Sequence, residues 1–321
     1  MSKTKVIIDC DPGCDDAIAL AAVLTDPKFD VIGITSIGGN VNPQKTKRNA
    51  LGIADLVGRH DVPIIAGAKK PLVKPMVDAS DVHGETGVDG LKMDFNAIAN
   101  LESKQPQQHA VDFILEQSRK YNGELNLIVI GPMTNIAMAL QKDKTLPTRI
   151  QSLTIMGGAF GDPTGNMGET LHAEFNVYCD PHAAKITLDA FQQARVPSKI
   201  MPLDVTHKFL QDADFREWLA SLSPQGENFA NMLKHYAEGY PGLPTSDAGK
   251  SPLHDFHTIA SFLNPDMYTW DRGFVDVVPD GAWDGQTILS RSYKWNTQVA
   301  SDVNRDQFLK VLKGSLTQAL G

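Results

Sequence analysis

The chain is 321 residues long, with 42% apolar and 21% charged residues, the makeup of a packed globular protein and not of a disordered one. Its 30 Lys and Arg are outnumbered by 38 Asp and Glu, for a formal charge of -8, so its surface repels phosphate backbones and anionic headgroups. Nucleic-acid and membrane-surface roles are excluded as the main activity.

The amino terminus runs from Met1–Lys5 straight into Val6-Ile7-Ile8 and Asp9, with no signal-peptide apolar region. Cys10, Cys14 and Cys179 form neither a disulfide framework nor a zinc pattern. The expectation is a cytoplasmic protein with reduced thiols.

Short β-branched runs predict strands at residues 6–8, 31–36, 62–66, 125–130 and 152–156. Amphipathic spacing predicts helices between them, over 16–24, 44–57, 109–119 and 134–140. Alternating strands and helices demand a parallel sheet covered on both faces. Beyond Lys199 helices are predicted near 214–222, 227–238 and 302–319, and the turn-rich run from Gly239 to Pro244 reads either as a mobile loop over a site or as a plain surface connection. The expectation is an α/β fold of one domain, residues 1–321: an open, mostly parallel sheet flanked by helices, a Rossmann-like core with additional helices toward the carboxyl terminus.

Directly after the first strand stands Asp9-Cys10-Asp11-Pro12-Gly13-Cys14-Asp15-Asp16. Four carboxylates in eight residues repel one another unless something positive sits among them. Pro12-Gly13 turns the chain so that carboxylates on both sides converge, and an all-oxygen donor set favours calcium or magnesium. An EF-hand is excluded, because its sixth and twelfth loop positions would be Cys14 and Leu20 in place of Gly and Glu. Other strands end in comparable polar turns, Gly38-Gly39-Asn40, Gly131-Pro132-Met133-Thr134-Asn135 and Gly157-Gly158. In an open parallel sheet such turns meet beyond the carboxyl ends of the strands. Ala173-Glu174-Phe175-Asn176, read as an extended segment, puts Glu174 and Asn176 on one face. Leu253-His254-Asp255 and Val82-His83-Gly84 supply histidines beside further polar groups.

Taken together these motifs, from Asp9 to Asp255, closely resemble the inosine-uridine-preferring nucleoside hydrolases in identity and order. The resemblance implies Ca²⁺ held by Asp11, Asp16, the Ile130 carbonyl and Asp255, with Asp11 the general base on a calcium-bound water. It implies that Asp15, Asn40, Asn166, Glu174 and Asn176 grip the ribose hydroxyls, with Met156, Phe175 and Asp255 also at the sugar. His254 matches the proton donor to the departing base, His83 lies near that base, and Tyr236 and Tyr240 belong to a mobile loop that closes over it. The implied activity is hydrolysis of the N-glycosidic bond of a ribonucleoside in salvage, by a homo-oligomer, dimer or tetramer. Two alternatives remain from the residues alone: a magnesium phosphohydrolase of the haloacid dehalogenase type with Asp9 as nucleophile, and a nucleoside-binding protein without turnover.

Overall fold

The computed structural model describes residues 3–161, 165–167, 172–240 and 249–321. Its strands are β1 (Thr4–Cys10), β2 (Phe29–Ser36), β3 (Ile64–Ala66), β4 (Leu125–Val129), β5 (Ile150–Met156), β6 (Ser198–Met201), β7 (Leu210–Gln211), β8 (Ser251–Pro252), β9 (Tyr268–Val277), β10 (Thr287–Arg291) and β11 (Thr297–Val303). Among the described residues nine of them form one sheet, in the order β10-β9-β11-β6-β5-β4-β1-β2-β3. β1 to β6 run parallel, β11 joins β6 in parallel, and β9 is antiparallel to both β10 and β11. The order 3-2-1-4-5-6 is that of a Rossmann sheet, whose crevice opens where the winding reverses, between β1 and β4.

Alternation along the strands sends side chains to opposite faces. Val6, Ile8 and Ile128 enter one apolar core, and Ile7, Leu127 and Val129 enter the other. Both faces are covered by helices, which is why the central strands read as continuous apolar runs. Helix α1 (Cys14–Thr25) is buried along nearly its whole length, because it lies under the outer helices Phe256–Leu263 and Arg305–Leu320 as well as beside the sheet. No helix among the described residues is long and apolar enough to cross a membrane.

The predicted elements of the first half stand within a few residues of their expected bounds. The carboxyl-terminal region differs: it contributes β6, β9, β10 and β11 as well as helices. β9 explains why its signal is weak, since Asp271-Arg272-Gly273 interrupts the apolar pattern where the strand is partly exposed.

The strand ends are tied laterally. Asn135 Nδ2 donates to Asp9 Oδ1 at 2.8 Å and to Ser36 O at 3.3 Å, while its Oδ1 accepts the Ala68 N–H at 2.8 Å. One fully buried amide thereby joins the ends of β1, β2 and β3. Asn135→Ala leaves those groups unsatisfied and should cost about 2–3 kcal/mol of stability, measured as a shift of the urea midpoint at unchanged slope. A shift no larger than that of a surface substitution would contradict the tie.

Candidate active site

The acidic loop occupies the switch point. Gly13 caps α1, and its N–H donates to Asp16 Oδ2 at 3.0 Å, so Asp15 and Asp16 sit in the first helical turn, where the helix dipole favours negative charge. Asn40, after β2, is the organiser. Its N–H donates to Asp11 Oδ2 at 2.7 Å, and its Nδ2 donates to Asp11 O at 3.1 Å and to Asp16 Oδ2 at 3.0 Å. The neighbouring turns have no room for side chains. A Cβ on Gly39 would lie 2.1 Å from Asp11 Oδ2, and one on Gly131 would lie 2.5 Å from Asp11 Oδ1.

Asp255, the N-cap residue of helix Phe256–Leu263, comes from the far end of the sequence. Carboxylate oxygens of Asp15, Asp16 and Asp255 lie within 4.8 Å of one another, all buried. Asp11 shares their field, and its charge reaches Asp255. This trio includes Asp15, which the sequence reading gave to the ribose.

Crowding and burial together set the proton affinities of these groups. Burial, then the charge of Asp16, pushes Asp15 up to about 8. Burial lifts Asp16 to about 6 against the hydrogen bond from Gly13. Burial first, and neighbouring carboxylates second, raise Asp11 and Asp255 well above the carboxylate range. Asp11 Oδ1 and Asp16 Oδ1 are buried without a hydrogen-bond partner among the described residues. Orphaned carboxylate oxygens in a crowded, all-oxygen set are the donor chemistry of a hard divalent cation.

Around this centre the strand ends supply the rest. Ile130 follows β4, and its carbonyl accepts Asn176 Nδ2 at 3.2 Å, while the same amide donates to Met156 O at 3.3 Å. Met156 ends β5 and is buried. The extended reading of 173–176 is corrected: Glu174 is the N-cap of a short helix, Phe175–Cys179. Its Oε1 accepts Asn176 N–H at 2.8 Å, and its Oε2 accepts Gly158 N–H and Val177 N–H, both at 3.1 Å. Such self-capping is what a carboxylate before a helix does, and it holds Glu174 and Asn176 rigidly. Burial still pushes Glu174 up to about 7. Phe175 is half-buried, and Asn166 is exposed, its N–H donating to Ala173 O at 2.9 Å.

Opposite the acids lies an aromatic and histidine wall. The loop expected to carry Tyr236 and Tyr240 is also corrected: Tyr236 is buried within helix Pro224–Gly239, and Tyr240 is its C-cap residue. The helix predicted near 227–238 ends at Gly239, and its apolar positions 229, 232, 233 and 236 already place Tyr236 on its buried face. Residues 241–248, including most of the turn-rich run, lie outside the described residues. His83 stacks on Tyr236 with ring centres 5.0 Å apart, and its Nδ1 accepts the Cys14 N–H at 3.1 Å. Burial drives His83 down to about 3, so the ring is neutral and protonated on Nε2. His254 pairs with Thr206 Oγ1 through Nδ1 at 2.7 Å and with the Tyr240 hydroxyl through Nε2 at 3.2 Å. The same hydroxyl lies 3.3 Å from His207 Nε2. Burial depresses His254 well below the usual imidazole range and His207 to about 4.

Thr206 and His207 escaped the sequence reading. They follow β6, a strand whose missing prediction hid the last of the polar turns at this sheet edge. His257, beside Asp255, faces away into the helical layer, stacked on Phe308 at 4.0 Å and bonded to the Tyr268 hydroxyl at 3.0 Å. Asp9, the expected nucleophile of the phosphohydrolase alternative, is buried with Oδ1 held by Thr35 at 2.5 Å and by Asn135, a structural position. A separate cavity of about 370 Å³ lies along β10 and β11; its Asp271 is paired with Arg291 and its Asp204 accepts the Phe160 and Gly161 N–H groups, so it has no cluster of unengaged acids.

The family model for the inosine-uridine preferring nucleoside hydrolases matches residues 6–310. The chain belongs to that family. Two relatives are pyrimidine-specific ribonucleoside hydrolases RihA, from Salmonella schwarzengrund, 37% identical over 96% of each chain, and from Escherichia coli O127:H6, 36% identical over 97% of each. Among solved structures, the plant nucleoside hydrolase PpNRh1 superposes with a TM-score of 0.87 at 30% identity, covering 98% of this chain and 99% of its own. The purine-preferring ribonucleoside hydrolase of Gardnerella vaginalis gives 0.88 at 29% identity, covering 98% of both chains. Nucleoside hydrolase membership removes the phosphohydrolase alternative.

The buried acids make a stability prediction. Asp15 at about 8, Asp16 at about 6, and Asp9 and Glu174 at about 7 all stand above the roughly 4 of unfolded carboxylates. The native state therefore holds more protons than the unfolded chain, and stability is lost as pH rises through these values. In chelator the denaturation midpoint should fall between pH 5 and 8, and a saturating divalent cation should flatten that slope. A flat profile in chelator would contradict the burial of unshared charge.

Proposed function

We propose that the protein is a calcium-dependent ribonucleoside hydrolase, an N-glycosyl hydrolase that converts ribonucleosides such as inosine and uridine to free base and ribose in nucleoside salvage. The observation that carries this reading is the set of buried, partly orphaned carboxylates at the switch point of a sheet that belongs to the nucleoside hydrolase family. Asp11, Asp16, Asp255 and the Ile130 carbonyl are the proposed ligands. The bound ion supplies orientation and acidity to the attacking water.

Asp11, fixed by two hydrogen bonds from Asn40, takes the proton that the water loses as its oxygen bonds to C1′. Cleavage of the C1′–N bond leaves positive charge on the ribose ring. The surrounding carboxylates are fixed before the reaction begins, so their field stabilises that charge without reorganisation. Asp15, Asn40, Glu174, Asn176 and, from its exposed segment, Asn166 hold the ribose hydroxyls, and Met156 and Phe175 line the sugar. Gripping the sugar aligns C1′ with the water.

The departing base needs a hydrogen on the nitrogen it frees. His254 supplies it from the wall that includes His83, Tyr236 and Tyr240. A buried neutral imidazole serves as such a donor in other enzymes.

Two variants test the assignment. Asp11→Ala should lower kcat by at least about a thousandfold on every ribonucleoside, followed as free ribose; substantial residual turnover would remove Asp11 as the base. His254→Ala should reduce inosine turnover by about a hundredfold or more while affecting nitrophenyl riboside, whose leaving group needs no proton, far less. Equal losses on both substrates would exclude leaving-group protonation. A panel of ribonucleosides with and without chelator reads the metal requirement and the base preference together.

A further inference from the structure

The hydrogen-bond chain behind His254 has a direction, and Thr206 sets it. Thr206 is fully buried, and among the described residues its hydroxyl has one hydrogen-bond partner, His254 Nδ1 at 2.7 Å. Were that nitrogen protonated, the hydroxyl would have to accept, and its own hydrogen would be buried without an acceptor, at about 1–3 kcal/mol. With the hydroxyl donating, Nδ1 is bare and the neutral ring carries its hydrogen on Nε2. That N–H points at the Tyr240 oxygen, 3.2 Å away. A phenol has one proton; among the described residues its other hydrogen-bond neighbour is His207 Nε2 at 3.3 Å, which accepts it when the neutral His207 ring carries its hydrogen on Nδ1.

We propose that His207 is a positioning residue: by accepting a hydrogen bond from the Tyr240 hydroxyl it turns the phenol oxygen toward His254 and helps hold His254 in the tautomer with its hydrogen on Nε2. The chain runs Thr206 Oγ–H to His254 Nδ1, His254 Nε2–H to Tyr240 O, Tyr240 O–H to His207 Nε2. No proton is gained or lost along it. Without an acceptor at 207 either the phenol proton goes unpaired or, if it is given to His254 Nε2, the Thr206 hydroxyl does; the two costs are comparable, so the imidazole hydrogen divides between Nε2 and Nδ1. This inference rests on the ribonucleoside hydrolase reading, in which the departing base replaces the Tyr240 oxygen as the acceptor of that Nε2–H. The adjacent pair Thr206-His207 would thus act on one imidazole from both sides, the first directly and the second through Tyr240.

The test is ¹⁵N NMR of the histidine side chains in the resting protein, for the wild type, His207→Phe and His207→Gln, with kcat and KM on inosine and nitrophenyl riboside. The wild type should show His254 protonated on Nε2 and bare on Nδ1. In His207→Phe a second population protonated on Nδ1 should appear, and the inosine-to-nitrophenyl riboside ratio of kcat should fall in proportion, about twofold for an even division, with KM unchanged. His207→Gln keeps an acceptor oxygen and should restore both tautomer and ratio. A proton on Nδ1 in the wild type, or an unmoved tautomer and ratio in His207→Phe, would overturn the proposal. The tautomer is read without substrate, so failure of the wild type to release ribose from any ribonucleoside would instead strike the hydrolase reading.

Discussion

Like charges in a confined, water-poor space govern this structure. At about 4 Å two carboxylates repel by roughly 4 kcal/mol in a medium of effective dielectric 20, and Asp11, Asp15, Asp16 and Asp255 are buried together. Within the chain the conflict is relieved by protons, hence the upward displacement of every member. A divalent cation reverses the sign of the interaction and engages the oxygens left without partners. The same crowding that costs stability when the charges are unshared makes an all-oxygen donor set suited to a hard divalent cation.

The fold serves that constraint by bringing carboxyl ends of strands to a common edge. Register pairs Cys10 with Ser36, Asp9 with Val129, and Met156 with Met201, so the turns that follow emerge side by side. Gly39 and Gly131 let two of those turns press against Asp11, and Asn40 bonds both Asp11 and Asp16. Asn135 and Asp9 lie one layer below and lock the strand ends. Helix Phe256–Leu263 then delivers Asp255 from above, and Glu174 fastens its own segment by capping the helix it begins. The acids gather from strand-end turns and helix N-termini, whereas the histidine and tyrosine wall comes largely from helices and the segment after β6.

Much of this was legible in the sequence where local pattern and tertiary role coincide. The parallel strands are buried on both faces, so they read as apolar runs, and the acidic loop announces itself by a charge density no solvated turn needs. Legibility failed where tertiary context decides. Glu174 and Asn176 look like alternate residues of a strand, yet the carboxylate finds the N–H groups of Gly158, Asn176 and Val177 and starts a helix. Tyr236 stands just before a glycine- and proline-rich run and Tyr240 within it, but the apolar face of the preceding helix includes Tyr236 and the helix is capped by Tyr240. β9 and β10 are partly wetted and carry Arg272 and Arg291 on exposed positions and Asp271 on a half-buried one, which masks their alternation. Thr206 and His207 gain meaning only beside His254 and Tyr240, residues tens of positions away.

The most direct test of the central claim is a diffraction structure of the protein with calcium, using anomalous scattering to place the ion. The account predicts one cation among Asp11, Asp16, Asp255 and the Ile130 carbonyl, with oxygen distances of about 2.3–2.6 Å. An acidic pocket that holds no ion at saturating calcium, in a protein that still cleaves ribonucleosides in chelator, would contradict it.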